Sequence, residues 1–120
     1  MRVTGGTGKG RRLRVPPGDR VRPTSDKVKQ ALFNILGGKV AGAVFLDLFA
    51  GTGGIGIEAL SRGAARAVFI DDSRKSLDAV RYNVGQSGMD AQAQVIASKA
   101  ESFIKRTEER FDIVFLDPPY

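Results

Sequence analysis

The stretch AVFLDLFAGTGGIG, residues 43–56, decides the fold of this chain. Its first half is an apolar run of the length typical of a buried strand. Its second half holds Gly51, Gly53 and Gly56 in G-x-G-x-x-G spacing, and a helix is predicted to follow and to stop at Gly63. In such a loop the first glycine permits a sharp turn, the second lets a ligand approach the backbone, and the third lets the helix pack closely on the strand. The stretch therefore predicts a ligand-binding turn between a strand and a helix.

Strands and helices are predicted to alternate along the rest of the chain. Apolar runs predict the strands, and amphipathic segments predict the helices between them. The predicted strands are residues 43–51, 65–72, 91–97 and 111–117, and the helices after the loop are 55–62, 73–84 and 101–109. This alternation is typical of βαβ units and predicts an α/β fold with a mostly parallel sheet.

A further helix precedes the glycine loop. The segment RPTSDKVKQALFNILGG, residues 22–38, predicts a helix that is capped by Thr24 or Ser25 and ended by Gly37. Its apolar side chains recur at helical spacing, so we expect them to form one buried face. The residues of that face are Val28, Leu32, Ile35 and Leu36.

Two acidic residues flank the glycine loop. Asp71 ends the next predicted strand twenty residues after Gly51, the spacing at which an acid accepts hydrogen bonds from ribose hydroxyls. The loop and this acid together predict a nucleoside cofactor. Asp47 lies four residues before Gly51, where a carboxylate would repel the pyrophosphate of NAD but would suit the cationic groups of S-adenosylmethionine. Asp47 could equally accept hydrogen bonds from loop amides, and the two roles are compatible.

The motif DPPY, residues 117–120, follows the last predicted strand. The exocyclic amino group of a nucleobase is a poor nucleophile because its lone pair is delocalised into the ring. Two acceptors, the carboxylate of Asp117 and the carbonyl of Pro118, could orient that lone pair toward a methyl donor. Pro119 helps to fix the backbone, and Tyr120 offers a face on which a base can stack. We expect an acceptor site for an amino group, with a plain rigid turn as the alternative.

Positive charge is concentrated near the N-terminus. Residues 1–30 hold nine Lys/Arg side chains against two Asp, whereas the other 90 residues hold ten basic and eleven acidic ones. This asymmetry predicts a basic nucleic-acid-binding arm or hairpin over residues 1–22 and a main domain over residues 23–120, the alternative being a merely solvated arm. The predicted RNA-binding residues are Arg2, Lys9, Arg11, Arg12, Arg14 and Arg22.

Composition argues against several functional classes. The 120 residues include no Cys and no His, so we expect no disulfide framework, no thiolate metal site and no histidine general base. No apolar run approaches the length of a membrane span, and no apolar signal core follows Met1. A single domain in the cytoplasm, without a metal, is expected.

Successive blocks of the chain resemble one family. MRVTGGTGKGRRL, RPTSDKVKQALFNIL, FLDLFAGTGGIGIEALSRGA, VFIDDS and FDIVFLDPPY are similar to blocks of the RsmD-like 16S rRNA guanine-N2 methyltransferases. The resemblance implies a Rossmann-like class I methyltransferase fold, with a partial sheet in the order 3-2-1-4 and S-adenosylmethionine as cofactor. It also implies methyl transfer to the 2-amino group of a guanine, in 16S rRNA or in an assembly intermediate of the small ribosomal subunit.

The resemblance also implies roles for particular residues. The methionine part of the cofactor is expected against Asp47, Ala50, Gly51, Thr52 and Gly53, the ribose against Asp71, and the target amino group against Asp117, Pro118, Pro119 and Tyr120. Family members often carry Asp or Asn beside the adenine where this chain has Lys99, so that contact is expected from Ala100 and from backbone groups. Family members continue past DPPY, and a further strand normally covers the strand before the motif, so this chain is expected to be a fragment and the full enzyme a monomer. The strand before DPPY in this chain would be an exposed edge able to pair with a second copy.

Other classes of protein remain open on the sequence. One is a Rossmann dehydrogenase that binds NAD, against which Asp47 and the DPPY motif argue. Another is a non-catalytic RNA-binding module with the same fold. Amino-methyltransferases that act on DNA share DPPY, so this motif does not distinguish a DNA substrate from an RNA substrate. The basic arm and the family blocks favour RNA.

Overall fold

The computed structural model describes residues 1–15 and 24–118. The strands are β1 (Val44–Leu48), β2 (Arg66–Asp71), β3 (Ala93–Ala97) and β4 (Ile113–Leu116). The α-helices are α1 (Asp26–Leu36), α2 (Gly54–Ser61), α3 (Arg74–Gln86) and α4 (Ala100–Arg106). Within these ranges no helix is both long and apolar enough to cross a bilayer.

The strands form one parallel sheet in the order β3-β2-β1-β4. Both the α/β class and the predicted strand order are therefore confirmed. In the register of the sheet, Leu48 pairs with Ile70 of β2 on one side and with Leu116 of β4 on the other. The loop after β1 thus lies between the carboxyl ends of β2 and β4, which is where open α/β sheets bind their ligands.

Helices cover both faces of the sheet. On one face, Phe45 and Phe69 belong to a buried cluster that also holds side chains of α1, α2 and α3. On the other face, Leu46 and Val68 pack with Phe103 of α4. Successive side chains of a strand point to opposite faces, so β1 and β2 supply both cores at once. This explains why their sequences are almost continuously apolar rather than alternating.

Helix α1 buries a different face from the one predicted. Ser25 caps the helix, since its Oγ accepts a hydrogen bond from the N–H of Val28 at 3.2 Å. However, Val28 and Ile35 are 57% and 83% exposed, and the buried residues are Lys29 and Phe33. The other two residues of the predicted face are partly buried. The prediction failed because apolar spacing cannot anticipate a lysine that is buried with charged partners.

Lys29 pairs with Asp26 of its own helix at 3.6 Å and with a buried carboxylate of α2. Glu58 accepts hydrogen bonds from the N–H and hydroxyl of Thr4 and from the N–H of Gly5. Its carboxylate lies 3.5 Å from Nζ of Lys29 and 2.8 Å from Nε of Arg62. Burial raises the pKa of Glu58, but the hydrogen bonds from Arg62 and Thr4 and the charge of Lys29 outweigh it and hold the pKa below its usual value. Glu58 is therefore an ionised, fully partnered anchor.

The N-terminal segment is part of the packed structure as far as residue 15. Arg2 and Arg12 form an antiparallel bridge, so the segment folds back on itself. Val3 and Leu13 are buried in the same cluster as Phe45 of β1. The boundary predicted between residues 22 and 23 lies outside the described residues.

Candidate active site at the carboxyl edge of the sheet

The glycine loop has the geometry that its sequence predicts. Gly51 and Gly53 have φ of 59° and 82°, left-handed values that residues with a β-carbon avoid. Gly56, in the first turn of α2, faces Phe69 of β2, and a β-carbon there would lie 2.3 Å from the ring. The first glycine therefore makes the turn and the third permits close packing of helix on strand.

Asp47 is a buried acid directly beneath this loop. Its side chain lies in β1 and is 1% exposed, and Oδ2 accepts a hydrogen bond from the N–H of Gly56 at 3.3 Å. Burial raises the pKa of Asp47 to about 8, opposed by the Gly56 hydrogen bond and aided by the negative charges of Asp71 and Asp117. At neutral pH the carboxyl group is mostly protonated, and a cation placed beside it would favour its ionised form.

Asp71 supports the loop from the neighbouring strand. Its Oδ2 accepts the N–H of Gly51 at 2.9 Å, and its Oδ1 accepts the N–H of Ser73 at 2.9 Å. The acid therefore shapes the glycine turn and the start of α3, a role that its position in the sequence did not indicate. Because each carboxylate oxygen can accept more than one hydrogen bond, the predicted contact with a ribose remains compatible with this geometry.

Phe49 was not identified from the sequence. It follows β1 and has φ of 59°, the only positive φ of a non-glycine residue in the described part of the chain. A left-handed backbone at such a bulky residue is a strain that surrounding structure must hold, and such strain concentrates at functional sites. The left-handed backbone could not be predicted from the residue type, because Phe normally avoids this conformation.

Phe49 also borders a cavity at the ends of β1, β2 and β3. The cavity has a volume of about 130 Å³. Its lining residues are Phe49, Ile70, Asp71, Asp72, Ser98, Lys99, Ala100 and Glu101. The cavity thus combines an aromatic ring, the acid predicted for the ribose and the predicted adenine neighbour Ala100. Lys99 lines it as well, at the position where an acid or amide was expected from the resemblance.

The start of the DPPY motif lies beside the loop. Leu116 pairs with Leu48, so Asp117 and Pro118 leave β4 next to the point where Phe49 leaves β1. Asp117 is exposed, and Pro118 is partly buried. Two other predicted members of the site, Pro119 and Tyr120, lie outside the described residues. Strands that are distant in sequence therefore bring Asp47, the loop and Asp117 to one edge.

The predicted basic residues of the arm are exposed wherever the structure describes them. They are Arg2, Lys9, Arg11, Arg12 and Arg14. Arg22, also predicted to bind RNA, lies outside the described residues. Two of the arginines reach α3: Arg11 donates a hydrogen bond to the carbonyl of Gln86, and the guanidinium of Arg14 lies 3.8 Å from the ring centre of Tyr82. The arm therefore presents its positive charge beside α3, the helix that follows β2.

A parallel sheet in the order 3-2-1-4, a glycine loop after the first strand, an acid after the second and Asp-Pro after the fourth define the Rossmann-like methyltransferase class. The profile of one family, described as "Conserved hypothetical protein 95", matches residues 1–120. The chain belongs to this family, which is the RsmD family predicted from the resemblance.

Named relatives and solved structures agree with this membership. Over the whole length of this chain, the sequence is 44% identical to the rRNA methyltransferase candidate YlbH of Bacillus subtilis. It is 40% identical to ribosomal RNA small subunit methyltransferase D of Escherichia coli, again over all of this chain. It covers 67% and 60% of those relatives, respectively, so it spans about three-fifths to two-thirds of their length.

Solved structures show the same fold. The methyltransferase candidate yhhF of Escherichia coli superposes with a TM-score of 0.90 at 38% identity, over 100% of this chain and 64% of that one. A more distant neighbour is the methyltransferase candidate SMU.776, which was solved in complex with SAH. It has a TM-score of 0.66 at 26% identity, over 78% of this chain and 25% of its own.

Proposed function

We propose that this chain carries the cofactor site and the start of the acceptor site of an enzyme that transfers a methyl group from S-adenosylmethionine to the N2 amino group of a guanine in 16S rRNA. The observation that carries the proposal is the convergence of buried Asp47, the glycine loop and Asp117 at one edge of the sheet. The names of the relatives support rRNA as the methylated substrate.

The residues at the edge fit a cationic nucleoside cofactor. The loop offers backbone approach at Gly53, and Asp47 offers a carboxyl group that ionises readily when a positive charge arrives. Asp71 can accept hydrogen bonds from ribose hydroxyls, while Phe49 and Ala100 provide apolar walls for the adenine. The SAH bound in a structural neighbour supports this choice, because SAH is what remains of S-adenosylmethionine after methyl transfer. The cofactor supplies an electrophilic methyl group on a sulfonium.

The acceptor residues would orient the guanine amino group. The carboxylate of Asp117 and the carbonyl of Pro118 can accept hydrogen bonds from its two N–H groups, which directs the nitrogen lone pair toward the cofactor side of the edge. Pro119 would hold that carbonyl in position, and Tyr120 would stack on the base. The amino group becomes acidic only as the new bond to carbon forms, so no strong base is required before transfer, and the proton then released can pass to the carboxylate of Asp117 or to water, in keeping with a chain that has no His.

The basic arm would hold the RNA. Its arginines and lysine can neutralise phosphates, and each contact would release counterions and make the affinity depend on salt. Arg22 would extend this surface. The substrate could be free 16S rRNA or an assembly intermediate of the small subunit, and the enzyme would act in the cytoplasm, where these occur.

The test is Asp117→Ala, with Asp117→Asn as the matched variant that keeps one acceptor oxygen. We expect alanine to abolish methyl transfer to 16S rRNA while the affinity for S-adenosylmethionine, measured by calorimetry, stays within about tenfold. Asparagine should retain part of the activity. Transfer is measured with radiolabelled cofactor on this chain and on a form extended to the length of its relatives.

Several outcomes would contradict the proposal. A much larger loss of cofactor affinity in Asp117→Ala would mean that Asp117 mainly holds the cofactor. Calorimetric binding of NAD and not of S-adenosylmethionine would favour the dehydrogenase class. Cofactor and RNA binding without any transfer by the extended form would favour a non-catalytic RNA-binding module.

A further inference from the structure

One buried amide connects the basic arm to the cofactor loop. Asn83, on α3, is 1% exposed. Its Oδ1 accepts the N–H of Arg14 at 2.7 Å, and its Nδ2 donates to the carbonyl of Arg14 at 2.9 Å. The same Nδ2 donates to the carbonyl of Thr52, in the glycine loop, also at 2.9 Å. Asn83 therefore ties both backbone groups of an arm residue and one backbone group of the loop to a single point.

We propose that Asn83 is a positioning residue that couples RNA contact at the arm to the order of the cofactor loop, so that RNA and cofactor each strengthen the binding of the other. The inference rests on the proposed function, because it takes the arm as the RNA contact and the loop as the cofactor contact. It goes further by assigning a role to a buried residue that joins the arm to the loop through hydrogen bonds to their backbones.

Arg14 is well placed to receive the RNA. Both backbone groups of Arg14 are hydrogen-bonded to Asn83, and its guanidinium carbon lies over the partly exposed ring of Tyr82, 3.8 Å from the ring centre. Stacking of this kind limits the rotamers of the side chain, so little conformational entropy is lost when the guanidinium binds a phosphate or stacks on a base. A ligand that holds Arg14 therefore also holds the Asn83 amide.

Thr52 is held from the arm side at a second point. The Oγ1 of Thr52 lies 3.8 Å from the sulfur of Met1, whose methyl carbon would be only 2.2 Å from a β-carbon placed on Gly54. The N-terminal residue of the arm thus packs on the loop itself. The loop carbonyl, the asparagine and the arm form one contiguous set of buried contacts.

The two binding events are coupled because either ligand would restrict the motion of both the arm and the loop. A first ligand that restricts the arm restricts the loop through Asn83, so the second ligand loses less conformational entropy on binding. Linkage requires the effect to be reciprocal: RNA must raise cofactor affinity by the same factor by which cofactor raises RNA affinity. At typical coupled sites, the affinity for one ligand changes by at least about fivefold when the other ligand is bound.

The experiment measures this coupling factor in the whole chain at one salt concentration. The affinity for S-adenosylhomocysteine, which cannot transfer a methyl group, is determined by calorimetry with and without a saturating single-stranded RNA oligonucleotide of mixed sequence. Fluorescence anisotropy of the same RNA, labelled, gives the reciprocal factor. We expect a factor of about fivefold or more in the wild type and a factor near one in Asn83→Ala.

Ser61→Ala is the matched control. Ser61 is also buried, and its hydroxyl accepts the N–H of Gly8 and donates to the carbonyl of Gly5, so its loss also removes buried hydrogen bonds to the arm. However, its hydrogen bonds go to the arm and not to the glycine loop. Ser61→Ala should therefore keep the wild-type coupling factor, whereas a structural loosening of the arm alone would lower the factor in both variants.

The outcomes separate this inference from the proposed function. If the wild type binds neither ligand, the proposed function fails; if it binds both with a factor of one, the coupling alone is overturned. Retention of the factor in Asn83→Ala also overturns it. Should that variant not fold, hydrogen exchange in the wild type decides: RNA alone is expected to slow exchange of the amides of residues 51–56, and unchanged exchange refutes the coupling.

Discussion

Replacing Asp47 by asparagine should stabilise the fold at neutral pH. The carboxyl group is buried beneath the loop, and its pKa is raised to about 8 chiefly by that burial. In the unfolded chain the same group ionises at its ordinary value of 3.8. Between these two values the folded protein binds one more proton than the unfolded chain, so stability falls as pH rises. Asparagine keeps the shape and the acceptor for Gly56 without an ionisable proton.

The magnitude follows from the width of that pH window. Each pH unit within it costs about 1.4 kcal/mol of unfolding free energy. From about pH 4 to about pH 7 the wild type therefore loses up to about 4 kcal/mol that Asp47→Asn retains. This is a large part of the roughly 5–15 kcal/mol that stabilises a typical domain. The two proteins should be equally stable near pH 4 and should diverge above it.

Urea unfolding over a series of pH values measures the difference. Asp78→Asn serves as the control for the loss of one carboxylate, because the side chain that it replaces is exposed on α3 and not buried beneath the loop. If Asp47→Asn shows the same pH slope as the wild type, Asp47 is ionised in the folded state and the reasoning is refuted. The affinity of Asp47→Asn for the cofactor should fall although its stability rises, because the variant cannot offer a negative charge to a cationic ligand. Calorimetry tests this in the same samples.

Three further predictions concern packing around the loop and the arm. Gly56→Ala should destabilise the fold by about 1–3 kcal/mol, because its β-carbon would lie 2.3 Å from the ring of Phe69. Urea unfolding beside Gly38→Ala, where nothing lies within 4 Å, measures this, and equal stability of the two variants would contradict the close packing. Phe49→Ala should be less stable than Phe49→Gly by about 1–2 kcal/mol, since both lose the ring but only glycine accepts a left-handed backbone; the reverse order would mean that the backbone there is ordinary. Glu58→Gln should cost about 3–5 kcal/mol by leaving the buried Lys29 with only the more exposed Asp26 as a carboxylate partner, seen as a lower Tm in thermal unfolding, and an unchanged Tm would be incompatible with the buried ion pair.

Sequence patterns within a few residues were sufficient to predict those structural features that depend only on residues close together in the chain. The glycine spacing predicted the turn at Gly51 and the close packing at Gly56, because both are properties of a strand followed directly by a helix. The same rules failed on α1, where Val28 and Ile35 are exposed while Lys29 is buried. Lys29 also pairs with Asp26 of its own helix, but its fully buried partner is a carboxylate about thirty residues away, and periodicity within one helix contains no information about that residue.

Some features of the candidate site could likewise be predicted from the sequence, and others could not. Asp47 and Asp71 could be identified from their distance in sequence to the loop, and the DPPY motif from its residue types. The strained backbone of Phe49 and the double role of Asp71 could not, because both depend on how β1 and β2 meet. Asn83 also gave no signal, since its three hydrogen bonds join segments that are 31 and 69 residues away along the chain.

The amino-acid sequence by itself determined the order of strands and helices, the glycine turn after β1 and the basic character of the N-terminal segment. These depend on apolar periodicity, glycine and charge, which act over a few residues. Only the tertiary structure decided which residues share an edge, an ion pair or a buried amide. The parallel sheet sets Asp117 beside the loop after β1, and α3 brings Asn83 between the arm and Thr52. Such contacts form because buried polar groups must find partners once the chain has folded, wherever along the sequence those partners lie.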